Sequence, residues 1–284
     1  MESEGVISNY LTLMSLSKLG LGHYKIYFQL HGFSKKELDS IINDFISYYK
    51  INWVARSVGV FDLIISVLCK DLKEFNIEKN NILKKYNKYI SSYHVGLMAE
   101  TYVYGKKYLV DDDYISLEDK KMISGESTLS LDDVDKQILS LLSNNSRIAS
   151  IDISRKLNLN IKTVILRIKE LEKKIINGYD IFFDFNKINY KYYKLFISIN
   201  KFTQKDYDSF LGYCKNNKNI IYLVENIGSW ELEPEIEIDS EEKFYDIVDD
   251  IKNKFPDFIK KIDVVKIIKD YKHIYVTKEM LDTI

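Results

Sequence analysis

The feature that most constrains this chain is an ungapped internal repeat. Setting Gly59 against Gly228 fixes an offset of 169 residues, and the same offset aligns Tyr10 with Tyr179, Tyr24-Lys25 with Tyr193-Lys194, and Phe33 with Phe202. It continues through Asp39-Ser40 on Asp208-Ser209, Ile51 on Ile220, Leu63 on Leu232, Phe75 on Phe244 and Ile82 on Ile251. Identities are few, but apolar positions coincide throughout, so one supersecondary unit has to be usable twice. Each copy reads β-α-β-β-α-β, the ferredoxin-like split arrangement. In the first copy strands are predicted at His23–Leu30, Ile51–Ser57, Phe61–Cys69 and about Ser92–Val103, with helices at Ser34–Tyr48 and about Asp71–Tyr89. The second copy gives Tyr193–Asn200, Thr203–Asn217, Ile220–Asn226, Trp230–Ile238, Ser240–Phe255 and Ile259–Asp270. Pro234 inside the fourth of these segments suggests an edge strand or a bulge.

Between the copies lies a different pattern. Residues 131–178 read as three helices in quick succession. Leu131-Asp132 caps the first, whose apolar stripe is Val134, Ile138, Leu139, Leu141 and Leu142. The second starts near Ser150 and buries Ile151, Ile153, Ser154 and Leu157. A tight turn, Asn158-Leu159-Asn160, feeds the third, with Asn160 as its cap. The third is expected to bury Ile161, Val164, Ile165, Ile168 and Leu171, leaving Lys162, Thr163, Arg167, Lys169 and Lys173 on the other face. Two short helices joined by a three-residue turn form a helix-turn-helix. From Arg147 to Lys174 there are eight basic and three acidic residues, while the whole chain stands at −1. Positive charge is thus concentrated where a phosphate backbone would lie.

The residues L-D-x-x-D-x-x-I-L-x-L-L at Leu131–Leu142, Ser146-Arg147 and I-x-G-Y at Ile176–Tyr179 resemble the leucine-responsive/asparagine-regulator (Lrp/AsnC) family of transcription factors. That resemblance implies an α+β chain, with a winged helix-turn-helix flanked by two ferredoxin-like effector-type domains. The expected division is 1–20 as a remnant of a first wing and connecting strand, 21–110 as effector-type domain 1, and 111–130 as an acidic, flexible linker. Residues 131–185 then form the winged helix-turn-helix, and 186–278 effector-type domain 2. Because MESEGVISNY aligns with Glu170–Tyr179, the chain is expected to be a tandem of two family units whose first DNA-binding module is missing.

The resemblance also implies partners and sites. The expected DNA contacts are Asn160, Lys162, Thr163 and Arg167 at the recognition helix. Arg147, Arg155, Lys156, Lys169 and Lys173 are expected mainly on phosphates, which position without specifying. Leu166 departs from the consecutive basic residues that the family often carries there. Small effectors such as amino acids are expected near the hairpin turns, at Gly59, Phe61 and Asp62 and at Gly228, Trp230 and Glu231. The plainer reading of the same residues is that Gly59 makes a turn and Asp62 caps it. Double-stranded DNA, intrachain pairing of the two effector-type domains and homo-oligomerisation complete the expected partners.

Other classes find less support. Cys69 and Cys214 are far apart and make neither a metal spacing nor a disulfide framework, which fits a reducing, cytoplasmic setting. The longest apolar run is far too short to span a bilayer, so no membrane association is expected. No phosphate-binding glycine loop, metal motif or nucleophile arrangement is present, so neither cofactor nor enzymatic activity is expected. Two alternatives remain: an effector-sensing or dimerisation partner that does not bind DNA, and a relative of the tetrapyrrole decarboxylases that share this architecture. The second would need histidines and arginines lining a pocket; the four histidines form no cluster, and His23 and His94, which neighbouring strands could bring together, are expected instead on the surface or on edge strands.

Overall fold

The computed structural model describes residues 1–110, 120–121 (backbone only) and 129–284, so the expected acidic linker lies almost wholly outside the described residues. In chain order the elements begin with β1 (Ile7–Met14), β2 (Gly22–Leu30), α1 (Lys35–Ser47), β3 (Ile51–Gly59), β4 (Leu63–Cys69), α2 (Leu72–Tyr86) and β5 (Ile90–Val103). A two-residue β6 (Lys120–Lys121) precedes α3 (Asp133–Asn144), α4 (Ser150–Leu157) and α5 (Ile161–Lys174). There follow β7 (Ile176–Phe183), β8 (Lys191–Ile199), α6 (Gln204–Asn216), β9 (Ile220–Gly228), β10 (Leu232–Ile238), α7 (Glu241–Lys254), β11 (Ile259–His273) and α8 (Lys278–Leu281). The bounds of β1, β2, α1, β3 and β4 recur at β7, β8, α6, β9 and β10 with the offset that relates Gly59 to Gly228.

Local chemistry sets the helix ends. Ser34 and Glu37 form a reciprocal capping box on α1, while Asp71, Asp132 and Thr203 each accept a backbone N–H at the start of α2, α3 and α6.

The two βαββαβ units share one sheet, in the order β2-β4-β3-β11-β8-β10-β9-β5, and β5 also pairs with β2. Eight antiparallel strands therefore close on themselves. Closure depends on the long last strands. The first half of β5 pairs with β2 and its second half with β9 of the other unit, while β11 does the same with β8 and β3.

Side-chain alternation sorts each strand between two environments. On β2, Tyr24, Ile26 and Phe28 face outward into a core with Leu38, Ile41, Phe45, Phe75 and Ile82 of α1 and α2. On β8, Leu195 and Ile197 do the same against Phe210, Phe244 and Ile251 of α6 and α7. The alternate residues fill the barrel interior, where Tyr27, Trp53, Phe61, Phe196 and Trp230 pack together. Strand β10 is therefore an interior strand, paired with β8 and β9, and not an edge. Its irregularity is a register shift against β9 between Glu235 and Ile236.

The helix-turn-helix sits on a third core. Ile138, Leu139 and Leu142 of α3, Ile153 of α4, and Val164 and Leu171 of α5 pack with Met14, Leu16 and Leu19 and with Met280 and Leu281 of α8. Strand β1 pairs antiparallel with β7, so the N-terminal segment is built into the wing and the floor of the DNA-binding region.

Candidate nucleic-acid interface

Helix α5 follows the expected turn closely. Asn158 adopts the left-handed conformation at φ 52°, and the Asn160 side chain accepts the Lys162 N–H at 2.8 Å. Only Val164 and Leu171 of its apolar series are fully buried; Ile161 and Ile165 are exposed, and Leu166 keeps 64% of its surface open. Ile151 of α4 is also exposed rather than packed. The expected five-residue stripe is narrower: among the described residues α5 packs chiefly on α3, α4 and β7.

Lys162, Thr163 and Lys169 share the open face of α5 with Leu166. Among the described residues, Lys156, Lys162 and Lys169 have no ion-pair partner within 4 Å, so their ammonium groups are available to an outside anion. The other cations are committed. Arg167 reaches back to the start of α3, where its guanidinium lies 2.5 Å from Asp132 and 3.1 Å from Asp135. Those two carboxylates turn Arg167 away from the base-reading role expected of it, and the guanidinium in turn helps hold the Asp132 carboxyl below its usual range, after the Asp135 backbone N–H. Arg147 pairs with Glu2 at 2.8 Å and stacks over Tyr10, Arg155 meets Asp152 at 3.4 Å, and Lys173 meets Glu170 at 2.8 Å. All three remain exposed, where such pairs exchange readily with phosphate oxygens. The acidic run Asp132-Asp133-Asp135 was the available sign that a cation of α5 would be drawn inward.

Residues 131–174 match the winged helix-turn-helix DNA-binding family. This segment is a winged helix-turn-helix. The chain is also 38% identical over 64 residues to an uncharacterized HTH-type transcriptional regulator of Pyrococcus furiosus, a match covering 22% of this chain and 43% of that protein. In fold, the chain is similar to the siroheme decarboxylase NirDL in complex with an iron-uroporphyrin III analogue, with a TM-score of 0.66 over 99% of this chain and 83% of that one, at 9% identity. A transcriptional regulator of Neisseria meningitidis solved with L-methionine aligns with 51% of this chain and 94% of its own, with a TM-score of 0.46 and 18% identity.

The hairpin residues expected to meet an effector have other work in this structure. Phe61 and Trp230 are each only 5% exposed and lie with ring centres 5.7 Å apart inside the barrel. The Asp62 carboxylate accepts the Leu30 N–H, and Glu231 accepts the Ile199 N–H, both at 2.8 Å, so each caps a neighbouring strand. Gly59, at φ +128°, and Gly228 sit where strands of the opposite unit press closest. A Cβ on Gly59 would lie 2.5 Å from the Val264 carbonyl oxygen, and one on Gly228 2.6 Å from that of Val95. Gly59, Gly228, Phe61 and Trp230 thus lie at contacts between the two units, while Asp62 and Glu231 each bond within their own.

What the pattern reading missed is the charge inside the barrel. Lys25 and Lys194, related by the repeat, are both buried, and so are Glu233 and Glu235. Lys194 lies 2.7 Å from Glu233 and also contacts Glu235; Lys25 lies 3.1 Å from Glu233 and 3.7 Å from Glu235. Tyr27 and the Trp230 indole donate to Glu233, and Tyr192 donates to Glu235. Burial opposes every charge here, yet the ammonium groups hold the Glu233 carboxyl down at about 2. The period-two spacing of Glu233, Glu235 and Glu237 was the signal that would have placed all three on one face. His23 is likewise buried, on an interior strand with Ser66 as its partner, and it does not approach His94, which lies against Phe61 and Trp230.

Proposed function

We propose that this chain is a DNA-binding transcriptional regulator of the Lrp/AsnC type. In this reading it is a tandem of two family-like units, whose effector-type domains, at about 21–110 and 186–278, pair within one chain, and whose activity is modulated by a small effector such as an amino acid. The observation that carries DNA binding is the open face of α5: Lys162, Thr163 and Lys169 with uncommitted polar groups, on a capped helix, within a segment that matches a DNA-binding family. Lys162 and Thr163 at the helix start would meet base edges, Leu166 could contact a thymine methyl, and Lys156, Lys169, Arg147, Arg155 and Lys173 would meet phosphates. Useful specificity calls for a homo-oligomer that sets two such helices about 34 Å apart, in the cytoplasm where DNA is accessible.

The test is binding to mixed duplex DNA across a salt series. Affinity should fall steeply with salt, and Lys162→Ala/Lys169→Ala should weaken binding and reduce the slope by roughly 1, for the phosphate that Lys169 no longer neutralises. Arg167→Ala should change affinity less than either lysine substitution. A folded protein that binds no duplex at low salt would overturn the reading.

A second reading is that of an enzyme on the decarboxylase scaffold. The observation favouring it is a groove of ≈ 600 Å³ between the β1–β7 ribbon and β11, flanked by Asp270, Lys272 and His273. Burial holds the Asp270 acid up at about 8 and the Lys272 amine down at about 8, so both change charge near neutrality. Titration with iron-uroporphyrin, followed by its visible absorbance, tests it: saturable spectral change would favour this reading, and none would discard it.

A further inference from the structure

The two units carry opposite charge on their outer helices. Helix α2 of the first unit and α7 of the second are related by the repeat, and each turns one long face to solvent. On α2 that face holds Lys73, Ile77, Asn80 and Lys84, whose spacing stacks them in one stripe. On α7 the positions equivalent to the first three are Glu242, Asp246 and Asp249, all exposed. Just past the helices, Lys88 stands where the second unit has Asp257.

The cause lies beneath the helices. Lys50, just before β3, lies 2.7 Å from Glu74 and 2.5 Å from Glu78, and draws both carboxylates of α2 inward, leaving its outer face to lysines. The second unit has Asn219 in place of Lys50, and Lys243 and Ile247 in place of the two glutamates. Among the described residues, none of Lys73, Lys84, Glu242 and Asp246 has an ion-pair partner, while Asp249 meets Lys252 of its own helix at 3.3 Å. Each face also exposes an apolar side chain: Ile77 keeps 52% of its surface open on α2, and Tyr245 62% on α7.

The two faces lie on opposite sides of the barrel. Helices α1 and α2 cover β2, β3 and β4, whereas α6 and α7 cover β8, β9 and β10, and β11 and β5 separate the two sets in the closed ring of strands. An α2 face therefore cannot reach the α7 face of its own chain. Two α2 faces would set lysine against lysine, and two α7 faces carboxylate against carboxylate. The complement of each is offered by a second copy.

We propose that copies of this chain associate head to tail, the α2 face of one seated on the α7 face of the next. Joining two unlike faces leaves one of each free at the ends, so the series extends by further copies unless its rotation closes a ring. Exposed ion pairs contribute little apiece, so the joint is salt-sensitive and forms at micromolar or higher concentration. Duplex DNA would suit the lysines of α2 but is repelled by α7, and it gives Ile77 and Tyr245 no apolar contact; a second copy fits both faces. The association gives the homo-oligomer of the regulator reading a surface, and it does not depend on DNA.

The full chain is followed by sedimentation velocity over a concentration series, at about 50 mM and about 500 mM salt. Mean mass should rise with concentration at low salt and fall back at high salt. Lys73→Glu/Lys84→Glu and Glu242→Lys/Asp246→Lys should each leave the melting temperature unchanged and weaken association roughly tenfold or more. Mixing the two variants should restore it, because each supplies the charge that the other has reversed, and one chain carrying all four substitutions should associate as well. Mass that ignores both reversals, or reversals that neither the mixture nor the fourfold variant rescues, overturns the proposal. A Lys73→Glu/Lys84→Glu chain that keeps its mass but loses duplex affinity would give α2 to DNA and overturn it too. Mass is read without DNA, so a chain that associates yet binds no duplex strikes the regulator reading alone, and one that binds duplex yet stays monomeric strikes this proposal alone.

Discussion

Strands β4 and β10 occupy equivalent places in the two units, yet they are built for opposite environments. Ile64 and Ser66 lie on the interior face of β4, while Leu68 joins the core beneath the helix-turn-helix; the equivalent positions of β10 are the buried Glu233, Glu235 and Glu237. Both opposing strands, β2 and β8, carry a buried lysine. The difference teaches which pairing the interior permits. Unit 1 facing a second copy of itself would bury two lysines with neither glutamate, and unit 2 facing itself would bury four carboxylates at the 233 and 235 positions against two lysines. Only the mixed pairing balances, and Lys106, 2.7 Å from Glu237, extends the balance by one further pair. The two units thus have the chemistry of complementary partners, not of identical ones.

The largest effect should come from breaking that balance on one side only. Glu233 is fully buried, and Glu233→Gln leaves two lysines with one remaining carboxylate at the centre of the barrel. A loss of about 3–5 kcal/mol in urea unfolding is expected, because an uncompensated buried charge costs far more than the intact cluster gains. At the equivalent position Ile64→Val should cost only about 0.5–1.5 kcal/mol, the price of one methyl-sized cavity. If the two substitutions cost the same within ~1 kcal/mol, water reaches the cluster and the contrast between the strands is not energetic.

The hairpin glycines sharpen the comparison at a smaller scale. Gly59 combines φ +128° with a close carbonyl, whereas Gly228 has the close carbonyl without the positive φ. Both alanine substitutions should destabilise, and Gly59→Ala by about 1–3 kcal/mol more, because strain in the backbone adds to the clash. Thermal melts of the two variants side by side decide it; equal losses would mean that the strand contact alone sets the cost.

How much of this is legible in the sequence divides along the same line. The repeat register, the βαββαβ order and the helix-turn-helix with its Asn160 cap follow from local patterns, and local patterns are enough. The side on which a strand residue ends up depends on closure of the barrel, which joins β5 to β9 and β11 to β3 across long separations in sequence. For that reason pattern alone gives Lys25 no interior role and sets Phe61 and Trp230 against a ligand. Arg167 departs from its expected place for a nearer cause: its side chain has two acidic neighbours on α3 that a single-helix projection does not contain.

The smallest effect separates the positions Thr101 and Asp270, which the repeat also makes equivalent. Thr101 is an uncharged buried residue; Asp270 accepts the Trp53 indole N–H at 2.9 Å, and burial, reinforced by the Glu235 charge, raises its carboxyl to about 8. A folded-state value above the unfolded 3.8 means that the folded protein holds a proton that the unfolded chain releases across that interval, so stability from this group is complete below 3.8 and is lost as pH rises toward about 8. His23 acts at the other end. Its imidazole is pushed down to about 3 by burial and then by Lys25, so the unfolded chain takes up the proton first and stability falls as pH drops below 6.5. Asp270→Asn keeps an acceptor for Trp53 and removes the titration. It should therefore flatten the decline between pH 4 and 8 by a few degrees of melting temperature, on the order of 1 kcal/mol, while leaving the acid limb unchanged. An unchanged slope on the alkaline side would mean that Asp270 is ionised and solvated at neutral pH, and the two positions would then differ in shape alone.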